Sequence, residues 1–549
     1  MFNKIYFKII AVIFFTSTLQ SCSDDFIKEE PKDFFISDKA FSDPIGFEYG
    51  ITNLHKNVRD IWTAHDGLNQ FVLFGLGSDL AGYGPNFING FRMDYSVLGS
   101  DDAISLLYWT NMYIIVKNAN VIINRADNPD VQWEYDSQKS EIVAEATFFR
   151  AYAYRILVQL FGGVPIIDYE VEQNVNNLTR SSKSETYNFI INDLLAAIPN
   201  LRAEESKPGR ITKAAAYHLL AEAYVATEQW QKGIDAATAV IDDPNYELMT
   251  SRFGTRVNEP GDVYWDLFRI GNQNRSSGNT ETIWAIQIEA NTPGGGIETG
   301  AKGLDLERGF GPFYSSLKDP DGASAFVLSD QYGRPVGWCT LTDYMAYDIW
   351  DMDEDNNYDP DMRNSSYNIH RFDRGDFVYN NPNSSYFGTP VLQETVETQP
   401  LSYWFPYFMK NTTPNNHPAG IINTGRIWRD HYVMRLAETY LLRAEAYLGA
   451  GNKVLAVDDI NTVRDRAEAT PITDADVDIN FILDERAREL SMEEFRTLTL
   501  MRLGLMYDRT RDFNPWAGTT IQPKNNLWPI PQSQIDLNTG EILEQNPGY

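Results

Sequence analysis

A short repeated sequence constrains the fold of this chain more than any other feature. The letters LLAEAY at residues 219–224 recur as LLRAEAY at 441–447, and a second helical stretch follows each copy within a few residues. Small residues facing large rings at this spacing are typical of helix pairs that stack in tetratricopeptide-type repeats, whose period is about 34 residues. The repeat therefore predicts a stack of such pairs, and a chance helical hairpin is the alternative for either copy taken alone.

Apolar residues recur with helical spacing over much of the remaining chain. Stripes with steps of three and four residues cover 104–122, 142–160 and 187–198, and further helices are expected at 428–466 and 478–503. Such steps place the apolar residues on one face of a helix, which can then be buried against a neighbour. Both ends of the chain are therefore predicted to be helical.

The helical periodicity disappears between about residues 250 and 426, where Gly, Pro, Asn, Asp and aromatic residues dominate. Short strands are expected there, one of them at 282–289, whereas 292–302 is predicted to be a loop. A long irregular insert in a helical frame is usually where function lies. The expected organisation is one compact unit with a signal at 1–21, a tether at 22–41, a helical part at 42–249, an irregular ligand-binding insert at 250–426 and a helical closing part at 427–549.

The N-terminus has the features of an export signal. Two lysines and no acidic residue precede an apolar run at 9–19, which is too short to span a bilayer as a helix. The letters LQSC at 19–22 resemble the site at which bacterial lipoprotein signals are cut before a cysteine that is then lipidated, and SDD at 23–25 resembles a tag for the outer face of the outer membrane. Lipidation of Cys22 is therefore expected, with an ordinary secretory signal as the alternative.

Charge and cysteine content exclude several classes of protein. The 549-residue chain has 76 acidic and 46 basic residues and a formal net charge of −30, which repels a phosphate backbone, so no nucleic-acid partner is expected. Cys22 and Cys339 are the only cysteines, which excludes a disulfide framework and a cysteine-based zinc site. Aromatic residues make up 13% of the chain, more than a core alone requires, so some of them are expected at surface contacts.

Sequence signatures of catalysis and of cofactor binding are absent. The six histidines include no pair at metal-binding helical spacing, no G-x-S-x-G occurs, and Cys339 has no histidine nearby in sequence. Gly295 and Gly300 have the spacing of a phosphate loop, but Ala301 stands where that motif needs lysine. We therefore expect a non-enzyme without cofactor or catalytic metal. A glycoside hydrolase stays an alternative, because its paired carboxylates are defined by a distance in space.

One acidic stretch partly matches a calcium-binding loop. Asp351, Asp353 and Asp355 alternate as calcium ligands do, and Asp359 and Asp361 are possible further oxygen ligands. The turn glycine and the bidentate glutamate of such loops are both replaced here. A solvated acidic loop is therefore the prediction, and a calcium site is the alternative.

Several motifs, in the same order along the chain, resemble those of the SusD/RagB family of outer-membrane nutrient-binding lipoproteins. They are EATFFRAYAY at 145–154, LFGGVP at 160–165, RLAETYLLRAEA at 435–446, INTVRDRA at 460–467, WPIP at 528–531 and QNPGY at 545–549. The resemblance implies a mainly α fold, a right-handed superhelix of tetratricopeptide-like helix pairs with a large, irregular, loop-rich insert that contains short strands. Within these helices, Arg150, Glu445 and Arg496 are expected to form buried pairs that hold helices together.

The resemblance also implies a function. It is that of a surface-exposed lipoprotein, attached to the outer membrane by its lipid anchor, which binds a glycan or oligosaccharide and delivers it to a SusC-like TonB-dependent transporter as the lid of that transporter. An acidic, aromatic-rich, exported chain without a catalytic motif suits this task. The alternatives are a surface glycoside hydrolase and a lid that binds a non-glycan nutrient such as a peptide.

Sugar binding needs rings for the apolar face of the sugar and fixed polar groups for its hydroxyls. Tyr83, Trp265 and Trp338 are expected to be stacking platforms. The remaining candidate contacts are Asn86, Arg92 and Arg308, which would hold hydroxyls, and Phe310 and Tyr314. Trp284 lies in the apolar run 283–288 and is instead expected in the core.

Overall fold

The computed structural model is mainly helical over the residues that it describes, which are 40–63, 69–83, 94–290, 292, 294–295, 303–350, 358–418 and 422–549. Its helices α1 to α17 span, in chain order, Pro44–Trp62, Asn69–Phe74, Ala103–Arg125, Gln138–Phe161, Lys183–Ala197, Lys213–Ala226, Trp230–Ile241, Val263–Leu267, Leu306–Phe310, Asp343–Ala346, Gln393–Val396, Leu436–Gly449, Lys453–Arg466, Ile479–Leu490, Arg496–Leu503, Met506–Phe513 and Gln532–Leu537. Its strands β1 to β6 span Ala81–Tyr83, Thr282–Ile286, Cys339–Leu341, Ile369–His370, Tyr407–Phe408 and His431–Arg435. The predicted mainly α fold with short strands is confirmed.

The predicted signal, Cys22 and most of the tether lie outside the described residues. Within the ranges that the structure does describe, no helix combines the length and the apolar character needed to cross a membrane.

The longer helices form one continuous stack. Helix α3 packs on α4, α4 on α5, α5 on α6, and α6 on α7; the next neighbour of α7 is then α12, which packs on α13. Helices α6 and α12 carry the two copies of the repeated sequence, and they also contact each other. The two predicted helix pairs, α6 with α7 and α12 with α13, are therefore neighbours in space, although the whole irregular insert separates them in sequence.

Alanines allow the repeated helices to lie close together. Ala215, Ala216 and Ala221 of α6 and Ala444 and Ala446 of α12 are all fully buried. Alanine has the highest helix propensity, and its short side chain keeps facing helix backbones near each other. The repeat thus encodes both the helix and the surface on which the next helix packs.

Side-chain caps set the first residues of several helices. The carboxylate of Asp102 accepts a hydrogen bond from the backbone N–H of Ser105 at 2.7 Å at the start of α3. Ser182 and Glu185 form a reciprocal capping box at the start of α5. Each such cap satisfies backbone N–H groups that have no partner inside the helix, and it stabilises the helix by about 1 kcal/mol.

The segment between α7 and α12 has a hydrophobic core of its own. Its buried rings include Tyr314, Phe326, Tyr332, Phe372, Phe377, Tyr379 and Tyr407. They pack edge to face or stacked; the ring centroids of Phe372 and Phe377, for example, are 4.1 Å apart. The aromatic residues that distinguish this segment in the sequence are therefore largely used to fill its interior.

Antiparallel pairing of β2 with β6 joins the two ends of this segment, and β6 leads directly into α12. Trp284 of β2 is 1% exposed and lies edge to face against Phe148 and Tyr152 of α4, with ring centroids 5.6 and 5.3 Å away. The prediction that Trp284 belongs to the core is confirmed. The domain boundaries at residues 250 and 426 stay a prediction.

The C-terminal motifs pack on the end of α4. The side-chain amide of Asn546 donates hydrogen bonds to the backbone carbonyls of Phe161 at 2.9 Å and of Trp528 at 2.7 Å. Directly after α4, a Cβ on Gly163 would lie 2.0 Å from the carbonyl oxygen of Ser181, so only glycine fits there. The LFGGVP, WPIP and QNPGY motifs therefore form one structural junction between distant parts of the chain.

The charged residues that were expected to hold helices together are paired in the interior. The attraction between two buried charges offsets the cost of removing them from water only when their geometry is good. Each of these pairs has a short contact between nearly buried side chains. The pairs are Arg150 with Asp193, Glu445 with Arg502, and Arg496 with Asp79, at N–O distances of 2.7, 2.6 and 2.6 Å. This prediction is confirmed.

Candidate ligand-binding surface

The pairing of β1 with β3 brings two of the predicted contact segments together. Tyr83, the last residue of β1, lies opposite Cys339, the first residue of β3. Trp338 directly precedes Cys339, so it lies beside the point at which the chain leaves β1. The side chain of Tyr83 and the predicted contacts Asn86 and Arg92 lie outside the described part of the structure.

Trp338 and Arg308 contact each other at this point. The Arg308 guanidinium lies over the Trp338 ring at 4.4 Å from its centroid, while the Phe71 ring packs against the same indole at 6.1 Å. Both Trp338 and Arg308 are partly exposed. A cation over a tryptophan face is attracted by the ring quadrupole, so the two side chains hold each other in position.

Arg308 keeps hydrogen-bonding capacity at this surface. Its Nε is buried without a hydrogen-bond partner, and its guanidinium forms no ion pair with any described residue. Burial lowers the pKa of Arg308, an effect that Asp305 partly opposes and that Arg426 and Arg334 reinforce. The four side chains of Trp338, Arg308, Arg334 and Arg426 form what we call the Trp338 surface, in which Arg426 is paired with Asp305 at 2.7 Å.

Backbone contacts fix this surface. The backbone N–H of Arg308 donates to the carbonyl of Gly425, and the N–H of Val336 donates to the carbonyl of Arg308, both at 3.1 Å. Gly425 has a φ of +64°, and a Cβ there would lie 2.4 Å from both Cγ of Arg308 and the carbonyl oxygen of Arg334. Glycine at this position therefore lets the segment carrying Arg426 approach α9 closely.

A histidine between two carboxylates holds α9 to the surrounding insert. The imidazole of His417 contacts Oε2 of Glu307 at 2.6 Å through Nε2 and Oδ1 of Asp330 at 2.5 Å through Nδ1. The hydroxyl of Thr412 donates to the same Glu307 oxygen at 2.6 Å, and the backbone N–H of Arg334 donates to Oε1 at 2.8 Å. Glu307 precedes Arg308, so this cluster, the His417 clamp, fixes the helix that carries the arginine.

Charge pairing in the clamp favours the imidazolium form. Burial by itself would lower the pKa of His417, but Glu307 and Asp330 outweigh this effect and raise it above the ordinary value. Both ring nitrogens can donate to carboxylates only when the ring is protonated. The clamp therefore stays a charged, hydrogen-bonded unit to a higher pH than an ordinary histidine would allow.

Three of the predicted contacts are buried instead of presenting a ring to solvent. Phe310 and Tyr314 are fully buried, and the Tyr314 hydroxyl donates to the carbonyl of Gly333 at 2.6 Å. Trp265 is 7% exposed, and the Arg269 guanidinium lies 4.3 Å from its ring centroid. A ring without an exposed face cannot stack on a sugar, so these three residues have packing roles and are not part of the Trp338 surface.

Sequence reasoning missed four residues that shape the surface. Arg334, Arg426, Glu307 and His417 come from separate segments, and no spacing in the sequence connects them. The fold brings them together because α9 hydrogen-bonds with Val336, which precedes β3, and with Gly425, which precedes β6.

The acidic stretch does not form a metal site within the described residues. No group of three or more histidine, cysteine or carboxylate side chains that could hold an ion occurs there. Asp361 is paired with Arg363 at 2.7 Å, and Asp359 accepts a hydrogen bond from Thr470 at 2.6 Å. Asp351, Asp353 and Asp355 lie outside the described residues, so the calcium alternative stays untested.

Two family models and a relative with a similar sequence all point to SusD-like proteins. The SusD family model matches residues 280–549, and a second model, described as starch-binding and associating with the outer membrane, matches residues 81–225. SusD-like protein P2 of Formosa agariphila is 25% identical over 98% of this chain and 99% of its own length. Together these matches cover both helical parts and the insert.

Solved structures share the fold. A SusD-like protein from Bacteroides fragilis superposes with a TM-score of 0.69 at 19% identity, covering 93% of this chain and 98% of its own. The surface glycan-binding protein A from Bacteroides thetaiotaomicron, solved in complex with laminarihexaose, gives a TM-score of 0.65 at 17% identity over 92% and 99%. The resemblance drawn from the sequence motifs is confirmed, and the chain belongs to the SusD family of non-catalytic proteins.

Proposed function

We propose that this chain is a glycan-binding lipoprotein on the outer face of the outer membrane. It captures an oligosaccharide and delivers it to a SusC-like TonB-dependent transporter, which it covers as a lid. The matched model for starch binding at the outer membrane supports the location and ligand class, and the laminarihexaose complex of a relative with this fold supports an oligosaccharide ligand. Lipidation of Cys22 would supply the anchor.

The pairing of Trp338 with Arg308 is the observation that carries the proposed glycan site. A partly exposed indole offers the apolar surface that Arg308 does not cover to the C–H groups of a sugar, and the neighbouring guanidinium offers N–H donors to its hydroxyls. Because Arg308 already lies against the indole, the ring is ordered before the ligand arrives, and less side-chain entropy is lost on binding.

The sequence segment that follows β1 supplies the remaining contacts in this proposal. Tyr83 ends β1 opposite Cys339, which is next to Trp338, and Asn86 and Arg92 follow Tyr83 by three and nine residues in the sequence. We propose Tyr83 as a second stacking ring and Asn86 and Arg92 as partners for hydroxyls. Arg334 and Arg426, which lie close enough to lower the pKa of Arg308, would extend the polar part of the site.

Substitution of the platform tests the proposal. We expect Trp338→Ala to weaken binding of laminarihexaose by about 1–3 kcal/mol, the range for stacking on one aromatic ring. This corresponds to a roughly five- to 150-fold higher Kd, which isothermal titration calorimetry on the full-length protein in a detergent without a sugar headgroup would measure.

The matched control is Trp230→Ala, which removes a partly exposed tryptophan of α7 in the helical stack. Its affinity should equal that of the unsubstituted protein. Equal affinities of the Trp338 and Trp230 variants would remove Trp338 from the site, and a lack of binding to any member of a glycan panel would favour a non-glycan nutrient.

A further inference from the structure

A second cleft, of about 510 Å³, lies between α1, the turn at 207–210 and the end of β2. Among the residues that line it are Tyr49, His55, Lys56, Arg59, Lys207 and Gln287. None of these residues belongs to the Trp338 surface, so the cleft is a separate feature of the molecule. Its size is within the range of pockets that hold small ligands, about 300–1,000 Å³.

One face of α1 forms a wall of this cleft. Tyr49, Asn53, Lys56 and Arg59 follow each other at steps of three and four residues, so they lie on one side of the helix. The opposite side, with Phe47 among others, is buried against the core. Tyr49 is 71% exposed, which gives the cleft an aromatic ring that is free of core packing.

Arg59 is a partly buried cation that forms no ion pair with any described residue. Its Nη1 donates a hydrogen bond of 3.3 Å to the carbonyl of Gln287, whereas its Nε is buried without any partner. The neighbouring carboxylate of Asp60 instead contacts Lys56 at 2.5 Å. Burial lowers the pKa of Arg59, and Asp60 offsets this effect only in part. The enclosed Nε cannot reach a ligand, but Nη2 is not enclosed and makes no hydrogen bond to a described residue, so it is the donor available at the wall of the cleft.

Several other desolvated arginines of this chain have a carboxylate partner. Arg496 and Arg502 each contact a carboxylate at 2.6 Å, and Arg155 contacts one at 2.8 Å. Because an uncompensated charge is costly to bury, proteins usually supply such a partner. Arg269, Arg371 and Arg429 are also buried without an ion pair to a described residue, and backbone carbonyls in the interior accept their hydrogen bonds. Arg59 differs because it lines an open cleft that an anion from outside can enter.

Lys207 adds a second uncompensated charge to the cleft. It is exposed, and it forms no ion pair with any residue in the part of the chain that the structure describes. Arg210 on the same turn, in contrast, is neutralised by Glu48 and Glu145 at 2.8 and 2.6 Å. Among the described residues that line the cleft, Arg59 and Lys207 are thus the cations that form no ion pair, whereas Lys56 is paired with Asp60.

We propose that the cleft between α1 and the 207–210 turn is a second saccharide site, which binds a sugar that carries a carboxylate. The guanidinium of Arg59 and the ammonium of Lys207 hold the carboxylate, and the ring of Tyr49 stacks on the apolar face of the sugar. Arginine suits a carboxylate because its N–H groups match the spacing of the two oxygens. The proposal does not depend on the Trp338 surface.

Equilibrium titration with trigalacturonic acid tests this site. The full-length protein is used at low ionic strength in a detergent without a sugar headgroup, and galactotriose serves as the neutral comparison ligand. We expect Arg59→Gln to raise the Kd for the acidic trisaccharide about ten- to hundredfold, since it removes hydrogen bonds to a charged group. Lys207→Gln should raise it severalfold, and 0.5 M NaCl should weaken binding in the unsubstituted protein.

Two control variants distinguish binding in this cleft from binding at the Trp338 surface or elsewhere on the protein. Trp338→Ala should leave the Kd for trigalacturonic acid unchanged, and so should Lys232→Gln, which removes an exposed lysine of α7 outside the cleft. A circular dichroism spectrum that matches the unsubstituted protein would show that the Arg59 variant is folded. Because Lys207 is exposed, the Kd of the Lys207 variant tests the same site without disturbing the core.

Several results would overturn the proposal. They are no binding of the acidic trisaccharide, equal binding of galactotriose, equal competition by acetate or sulfate at the same concentration, and an unchanged Kd in both the Arg59 and Lys207 variants. Loss of binding in the Trp338 variant alone would place the acidic sugar at the first site and would also count against the second.

Discussion

Asp79 offers a direct test of how buried charges hold the segment before β1 in place. It lies two residues before β1, the strand that leads to the proposed glycan site. Its carboxylate accepts two hydrogen bonds from Arg496, at 2.6 and 3.0 Å, and one from Arg509 at 3.1 Å. The side chains of Asp79 and Arg496 are both fully buried. The perturbation is Asp79→Asn, which keeps the size of the side chain and removes its charge.

The expected loss of stability depends on which carboxylate contacts Arg496 and Arg509 keep in the variant. Removing one partner of a buried ion pair costs about 3–5 kcal/mol, because the other charge remains desolvated. Here Arg496 still contacts Glu494 at 3.4 Å, and Arg509 still contacts Asp484 at 2.8 Å. Asparagine also keeps one acceptor oxygen. We therefore expect the loss to lie near the lower end, at about 3 kcal/mol of the free energy of unfolding.

Urea unfolding followed by tryptophan fluorescence and circular dichroism would measure this loss. The matched control is Asp127→Asn, which removes the charge of an aspartate whose side chain is 83% exposed and which pairs with Lys139. That variant should keep the midpoint of the unsubstituted protein, since exposed pairs contribute little. An Asp79 variant with an unchanged midpoint, or a control with an equal loss, would refute the reasoning.

The same pair predicts a pH dependence. Burial would raise the pKa of Asp79, but Arg496 and Arg509 outweigh it and hold this pKa below the ordinary value of 3.8. A carboxyl group with a lowered folded-state pKa stabilises the protein above its unfolded-state pKa, and this contribution is lost as the pH falls through the folded-state pKa. The stability difference between the unsubstituted protein and Asp79→Asn should therefore be constant near neutral pH and shrink below pH 3.8.

Three further changes test other contacts. Gly163→Ala should lower the urea midpoint strongly, because its Cβ would meet the Ser181 carbonyl oxygen at 2.0 Å; an unchanged midpoint would show that the turn relaxes. Asn546→Ala should reduce the free energy of unfolding by about 1–3 kcal/mol, since the carbonyl of Trp528 loses its donor, and a smaller loss would show that water replaces the amide. The raised pKa of His417 predicts stability that is fully present below pH 6.5 and is lost as the pH rises through the folded-state pKa. Urea midpoints between pH 6 and 9 should show this decline, and His417→Gln should remove it; parallel profiles would contradict a charged clamp.

The helical frame was predictable because its signals are local. The stripe at 104–122 forms α3, whose buried residues include Tyr108, Met112, Ile115 and Ala119. The repeated sequence predicted helix pairs, and the structure stacks these pairs directly. Periodicity reports which face of a helix is buried, and short residues at fixed positions report how closely the next helix can pack.

The candidate site was predictable only in part. Trp338 and Arg308 were both named from the sequence, but their contact depends on α9 and the segment before β3, whose association no spacing encodes. Phe310 and Tyr314 were expected to contact ligand because they lie in an irregular, polar stretch, and they are buried in the structure. The insert has an aromatic core of its own, and a sequence without periodicity does not separate rings in such a core from rings at its surface.

The contact between α7 and α12 requires that the ends of a long chain segment come together, which costs conformational entropy. Helices α7 and α12 are in contact, yet roughly 200 residues separate the end of one from the start of the other. Closing a flexible chain of that length costs on the order of 5 kcal/mol in entropy, and doubling its length adds only about 0.6 kcal/mol. In the folded protein, the insert has its own core, and pairing of β2 with β6 holds the two ends of the insert together. The stack can therefore accept inserts of very different length and sequence, and ligand specificity can change in evolution while the energetics of the α7–α12 contact stay nearly constant.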